Sequence, residues 1–160
     1  MSREAAERLR RTLPIRRRVV KAMYERGVEL HTGTDTLVSF LIPGNALHRE
    51  LHLLRDAGLS AEAVMELATL RSARVMQTPG LGLLDVGAPA DLVVYGSDPT
   101  RDLEALDDIR GVVRDGRFYS RARLDRELEH YRAHFEGPLY DRLSVAVIGQ
   151  ALRFLNPHAH

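Results

Sequence analysis

Apolar positions recur at helical spacing along the first half of the chain, then break into short runs between glycines and prolines past residue 80. Residues 2–12 read as a helix. A second helix begins near Pro14, with Thr12 as its N-cap and proline tolerated in the first turn. Val19, Val20, Met23 and Tyr24 give it an apolar face, and Gly27 ends it as a C-cap. The run Val28–Thr32 predicts a short strand, so helix and strand together make one unit of an α/β layer. A loop follows over residues 33–44, punctuated by Gly33, Pro43 and Gly44. Leu47, Leu51 and Leu54 then mark a helix that stops at Gly58. Ser60 caps the next one, with Glu62 in its first turn, where the macrodipole favours acids. Val64, Leu67, Ala68 and Val75 line the face expected to be buried.

From residue 80 the pattern is β-rich. Leu92–Tyr95 is the clearest strand of the chain. Residues 101–108 predict a short acidic helical turn. "IRGVVRDGRFY" predicts a hairpin, with Asp115-Gly116 adopting the positive φ angles of a two-residue turn. Ser120 caps a helix to about His134, Gly137-Pro138 break it, and a last helix is expected from about Leu139 to Phe154. Gly80-Leu81-Gly82 lacks the lysine and following helix of a phosphate loop and reads as a turn.

Composition narrows the chemistry. The 160 residues contain no cysteine, which excludes disulfides, thiol nucleophiles and thiolate metal sites. No apolar run approaches the roughly 20 residues needed to span a bilayer. No secretory signal is visible, so a cytoplasmic location is the expectation. Net charge is +1, yet residues 1–26 are strongly basic and include Arg16, Arg17 and Arg18. A phosphate-binding face is one reading of that run; a solvated amphipathic helix is the simpler one, and nucleic acid is not the expected partner. His48 and His52 lie four apart on one helix, a spacing that can share a metal ion. Arg49 follows His48 where the zinc-protease pattern has glutamate, so a helix-surface role is expected.

Four stretches in series, "RGVELHTGTD", "IPGNALHRELHLLRDAGLSAEAVMELATLRSARVM", "GLGLLDVGAPADLVVYGSDPTRDL" and "IRGVVRDGRFY", resemble the C-terminal portion of the amidohydrolase superfamily, nearest to its imidazolonepropionase- and prolidase-like members. The resemblance covers roughly residues 15–119. It implies an α/β fold class: the last strand-helix portion of a TIM-type barrel over residues 1–79 and part of a small β-sandwich over 80–119; residues 120–160 lie beyond it and read from their own pattern as a helical extension. It implies hydrolysis of C–N bonds, in non-peptide or dipeptide amides, by metal-activated water. Asp35 matches the aspartate at the tip of the family's last barrel strand, as metal ligand or proton acceptor; a turn aspartate serving only its own loop is the alternative. His31 falls on the same alternating face and is a second candidate ligand. Asp91 matches a structural position at the start of a sandwich strand. Arg71 stands where the family often has asparagine.

The divalent metal, zinc in the family, is not expected to bind this chain alone. The family's His-x-His pair, its lysine or glutamate, and its two later histidines have no counterpart here. His158 and His160 have the first spacing but lie at the wrong end of the chain. A catalytic zinc takes three protein ligands and an open position, and a closed barrel takes eight strands in about 250 residues. The expected product is therefore a truncated or split amidohydrolase, inactive alone: either a gene remnant or one piece of an enzyme completed by a complementary polypeptide, with uncovered edges that also invite self-association. A non-catalytic binding or assembly module is the alternative.

Overall fold

The computed structural model describes residues 3–36 and 42–135, and the chain divides into two compact units, residues 1–118 and 119–160. The first unit opens with α1 (Arg3–Glu25), a single helix that runs through Pro14. The expected interruption after residue 12 does not occur. Proline removes one backbone donor from a helix interior, but the remaining bonds of this long helix carry it across. Gly27 ends α1 as predicted: its N–H reaches the Tyr24 carbonyl at 3.0 Å and the Val28 N–H reaches the Met23 carbonyl at 3.0 Å, the paired bonds of a Schellman motif.

Val28–Thr32 is not a strand. Side chains from Glu29 to Thr36 do alternate between exposed and half-buried, as β-branched residues favour, but no neighbouring strand pairs with the segment among the described residues. A ladder needs a partner, and the periodicity of one segment cannot supply it.

Next come α2 (Asn45–Asp56) and α3 (Ala61–Glu66), the latter continued by a π turn (Leu67–Arg71) and α4 (Ser72–Val75). Ser60 caps α3, its hydroxyl accepting from the Ala63 N–H. The core forms where α2 and α3 meet a 3-10 turn, Leu103–Asp107. Leu51, Leu59, Val64, Leu67, Leu103 and Leu106 are buried there, and Val20, Tyr24 and Leu30 pack against them. Each such side chain contributes about 1.5–3 kcal/mol when taken from water. Val75, expected on the buried side, is instead exposed, as is Leu47 on α2.

The three-stranded sheet has the order β1 (Leu92–Tyr95), β2 (Ile109–Arg114), β3 (Arg117–Ser120). β1 and β2 run antiparallel with Leu92 opposite Val113 and Val94 opposite Gly111. The register then slips so that Tyr95 faces Ile109. Asp115 and Gly116 turn the chain between β2 and β3 with φ of 50° and 71°, the two positive values of the predicted hairpin. Asp91 secures that turn. Its Oδ1 accepts from the Asp115 N–H at 2.6 Å and its Oδ2 from Arg114 at 2.7 Å, in keeping with its structural reading.

Gly82 carries a different constraint. A Cβ there would stand 2.6 Å from the Thr69 carbonyl carbon in the π turn, and φ is +73°. Only glycine lets the 80–84 loop lie backbone against helix at that point.

In the second unit, α5 (Arg121–Phe135) follows Ser120, whose hydroxyl accepts from the Arg123 N–H at 3.4 Å. Arg121 binds Asp125 at 2.8 Å, and Arg123 stacks 4.6 Å from the Tyr119 ring centroid. The expected break at Gly137-Pro138, the last helix, and His158 and His160 lie outside the described residues.

Candidate functional site

Asp35 sits at the far end of the segment that leaves α1. Its backbone is left-handed, φ 47°, a conformation aspartate tolerates better than most residues. The side chain is exposed and makes no hydrogen bond or ion pair within the described residues. Alternation puts Glu29, His31, Gly33 and Asp35 on the outward face and Leu30, Thr32 and Thr34 on the inward one. The carboxylate therefore faces away from the core that anchors its segment.

His31 shares that outward face. Its Nδ1 lies 3.0 Å from the Thr32 carbonyl. A carbonyl only accepts, so the proton of that bond sits on Nδ1, and in the neutral imidazole Nε2 is then the acceptor. The two sequence-predicted candidates thus stand on one surface with a nitrogen and a carboxylate available.

Two residues that sequence reasoning left without a role hold the segment down. Glu50 on α2 accepts the Gly33 N–H on Oε1 at 3.0 Å. Ser72, at the start of α4, lies 3.4 Å from the Thr32 nitrogen and 3.3 Å from the Thr32 hydroxyl. Nothing in the local pattern signals either contact. One spans 17 residues and the other 40.

The other expectations resolve as structural contacts. His48 Nδ1 approaches Asp107 at 4.0 Å, and Arg55 binds Asp102 at 3.0 Å, so α2 is tied to the 3-10 turn by its polar residues. Arg17 pairs with Asp56, while Arg16 and Arg18 are exposed. Gly80-Leu81-Gly82 is a turn, with the Leu81 N–H on the Thr78 carbonyl at 3.3 Å.

A groove of about 770 Å³ opens elsewhere, between α3 with its π turn and β1. It is lined among others by Tyr24, Met65, Thr69, Leu83, Leu92 and Tyr95, and by none of residues 28–36. Burial pushes the Tyr95 hydroxyl above its ordinary pKa.

Among the described residues no group of three or more histidine, aspartate or glutamate side chains could hold a metal ion. His31 and Asp35 do not by themselves fit a catalytic zinc, which takes three protein ligands. Among the same residues, no helix is long and apolar enough to cross a membrane.

Residues 6–119 match the model of the amidohydrolase family. A crystal structure of an amidohydrolase is 28% identical with a TM-score of 0.55, over 65% of this chain and 25% of that one. A Xaa-Pro dipeptidase, crystallised with methionine bound in its active site, is 27% identical with a TM-score of 0.57 and the same coverage. The chain spans a quarter of the length of each of these structures. No curated protein matches it.

Proposed function

The chain belongs to the amidohydrolase family, and from that premise we propose that it supplies one reactive carboxylate, Asp35, to a hydrolase of C–N bonds whose remaining residues come from outside this sequence. The family is generally metal-dependent, and the described residues do not complete a metal site. In this reading residues 1–79 are the last portion of a barrel, whose segment Val28–Thr32 pairs as a strand only against residues from outside this sequence, 80–119 are part of a sandwich, and 120–160 a helical extension. The substrates are small amides or dipeptides.

The observation that carries the reading is the placement of Asp35. It is exposed and unpaired within the described residues, in a left-handed turn at the end of a segment inside the family match. At that place a carboxylate can take the proton of a water attacking an amide carbonyl. His31 Nε2 on the same face can bind or orient. Among the described residues Asp35 is a proton acceptor with no metal cluster beside it to polarise the carbonyl or stabilise the developing oxyanion, contributions that usually dominate such catalysis.

The expected result is therefore no zinc-dependent turnover of dipeptide or cyclic amide substrates by the purified 160 residues. Turnover is expected when a polypeptide spanning the other three quarters of a related amidohydrolase is added, and Asp35→Ala removes it by about 10²-fold or more. Hydrolysis by the chain alone, lost in D35A, would overturn the claim of dependence; complemented turnover indifferent to D35A would overturn the role of Asp35.

A second reading, a non-catalytic assembly module, draws on other residues. β1 has a strand partner on one side only, among the described residues, and Val93 and Val94 within it are exposed on successive positions, hence on both faces. An apolar strand with one open edge favours pairing with another chain.

A further inference from the structure

Two side chains distant in sequence converge on the two residues that precede the Asp35 turn. Glu50 uses one carboxylate oxygen to accept the Gly33 N–H at 3.0 Å. Ser72 deals with Thr32, and proton bookkeeping fixes how. A serine has a single hydroxyl proton, and that of Ser72 goes to the Leu67 carbonyl at 2.7 Å. Both Thr32 groups, N–H and hydroxyl, must then donate to the Ser72 oxygen, at 3.4 and 3.3 Å. Leu67 lies five residues back, one more than the usual reach of a helical serine. The π turn Leu67–Arg71 brings its carbonyl within range.

The second oxygen of Glu50, Oε2, is closed to solvent and has no hydrogen-bond partner among the described residues. A buried acceptor left empty is costly, so the Gly33 bond on Oε1 is what this carboxylate gains from its place among the described residues. We infer that Glu50 and Ser72 are positioning residues for Asp35. They take up the Thr32 and Gly33 backbone donors that a neighbouring strand would otherwise engage, and so fix where the exposed carboxylate two residues later stands. The functional half of this inference rests on the proposed role of Asp35; the grip itself does not.

Site-resolved amide exchange on the isotope-labelled 160-residue chain tests it. Glu50→Ala is expected to speed exchange at Gly33 by roughly five- to tenfold, the loss of one hydrogen bond, while the core amides of Val64 and Leu67 keep their rates. Glu50→Gln, which retains a carbonyl acceptor, restores most of the Gly33 protection, and Ser72→Ala speeds Thr32 instead. Should E50A fail to fold, E50Q and S72A decide the matter through the same two amides. Equal Gly33 rates in wild type and E50A, no rescue by E50Q, or a Gly33 amide already unprotected in wild type would each refute the grip. Asp35→Ala leaves both rates unchanged if the grip is independent of what Asp35 does. With the complementing polypeptide added, E50A is expected to lower kcat more than it raises KM. Failed exchange results alongside D35A-sensitive turnover sink the inference alone. Intact exchange results alongside D35A-insensitive turnover sink the reading of Asp35 alone.

Discussion

At the scale of single residues, the acids of this chain divide by what their oxygens meet. Asp98 turns a corner in which its Oδ1 accepts the Thr100 hydroxyl at 2.6 Å and the Thr100 N–H at 2.9 Å. Those bonds, the hydroxyl first, hold its pKa below the ordinary 3.8. Asp102 is lowered too, by the Glu104 N–H it caps and by Arg55. A depressed carboxylate stabilises the fold above its unfolded pKa, and that contribution fades as pH falls through the lower, folded value. Both groups should therefore act as acid-side supports, spent only below pH 3.8. Carbon-detected titration of Thr100→Ala is expected to move Asp98 up toward 3.8 while Asp102 stays put. A stationary Asp98 would assign the effect to the backbone bond and the Arg101 charge instead. Asp91 was legible as structural through the family resemblance. Glu50 and Ser72 were not, because a carboxylate and a hydroxyl on helix surfaces look the same in sequence whether they meet water or a backbone N–H from another segment.

At the scale of elements, local chemistry decided most outcomes and failed where a rule met a longer context. Ser60 caps α3 and Asp115-Gly116 turn the hairpin because each bond closes within a few residues. Pro14 was read as the start of a new helix, yet α1 runs through it. The missing Pro14 N–H leaves the Arg10 carbonyl without its helical donor, and the ring crowds the preceding turn. Residue 14 is exposed, so Pro14→Ala changes little else. It should stabilise the chain by about 1–3 kcal/mol, read as a higher urea midpoint at unchanged m-value with a rise in helical circular dichroism. A midpoint that does not move would mean that the first three turns of α1 melt apart from the core. Val28–Thr32 is the opposite case: correct alternation, no ladder. Side-chain periodicity belongs to one segment, whereas strand pairing belongs to two.

At the scale of the whole molecule, the chain carries the core of one layer and leaves other apolar surface uncovered. Leu84 is 88% exposed and Val86 101% exposed in the loop ahead of β1, and Ile15 and Val19 are exposed on α1. Since the chain spans a quarter of the related structures, such surface fits a piece of a larger fold. The isolated chain is expected to associate with rising concentration. Leu84→Asp with Val86→Asp should shift light-scattering mass toward the monomer with a stability change within about 0.5 kcal/mol, as at other exposed positions. Unchanged association in the double variant would move the contact elsewhere, with the α1 stripe next in line.

The sequence by itself determined α2, α3 and α5, the hairpin, the strand Leu92–Tyr95 and membership of a hydrolase family, because caps, turns and periodicity act over a few residues and family motifs survive as ordered strings. It also singled out Asp35. Only the tertiary structure decided how that aspartate is presented: on a segment with no strand partner among the described residues, gripped by Glu50 and Ser72 from 17 and 40 residues away. Hydrogen bonds at that range depend on how helices pack, and packing is set by the buried leucines of the core rather than by any pattern near the bond itself.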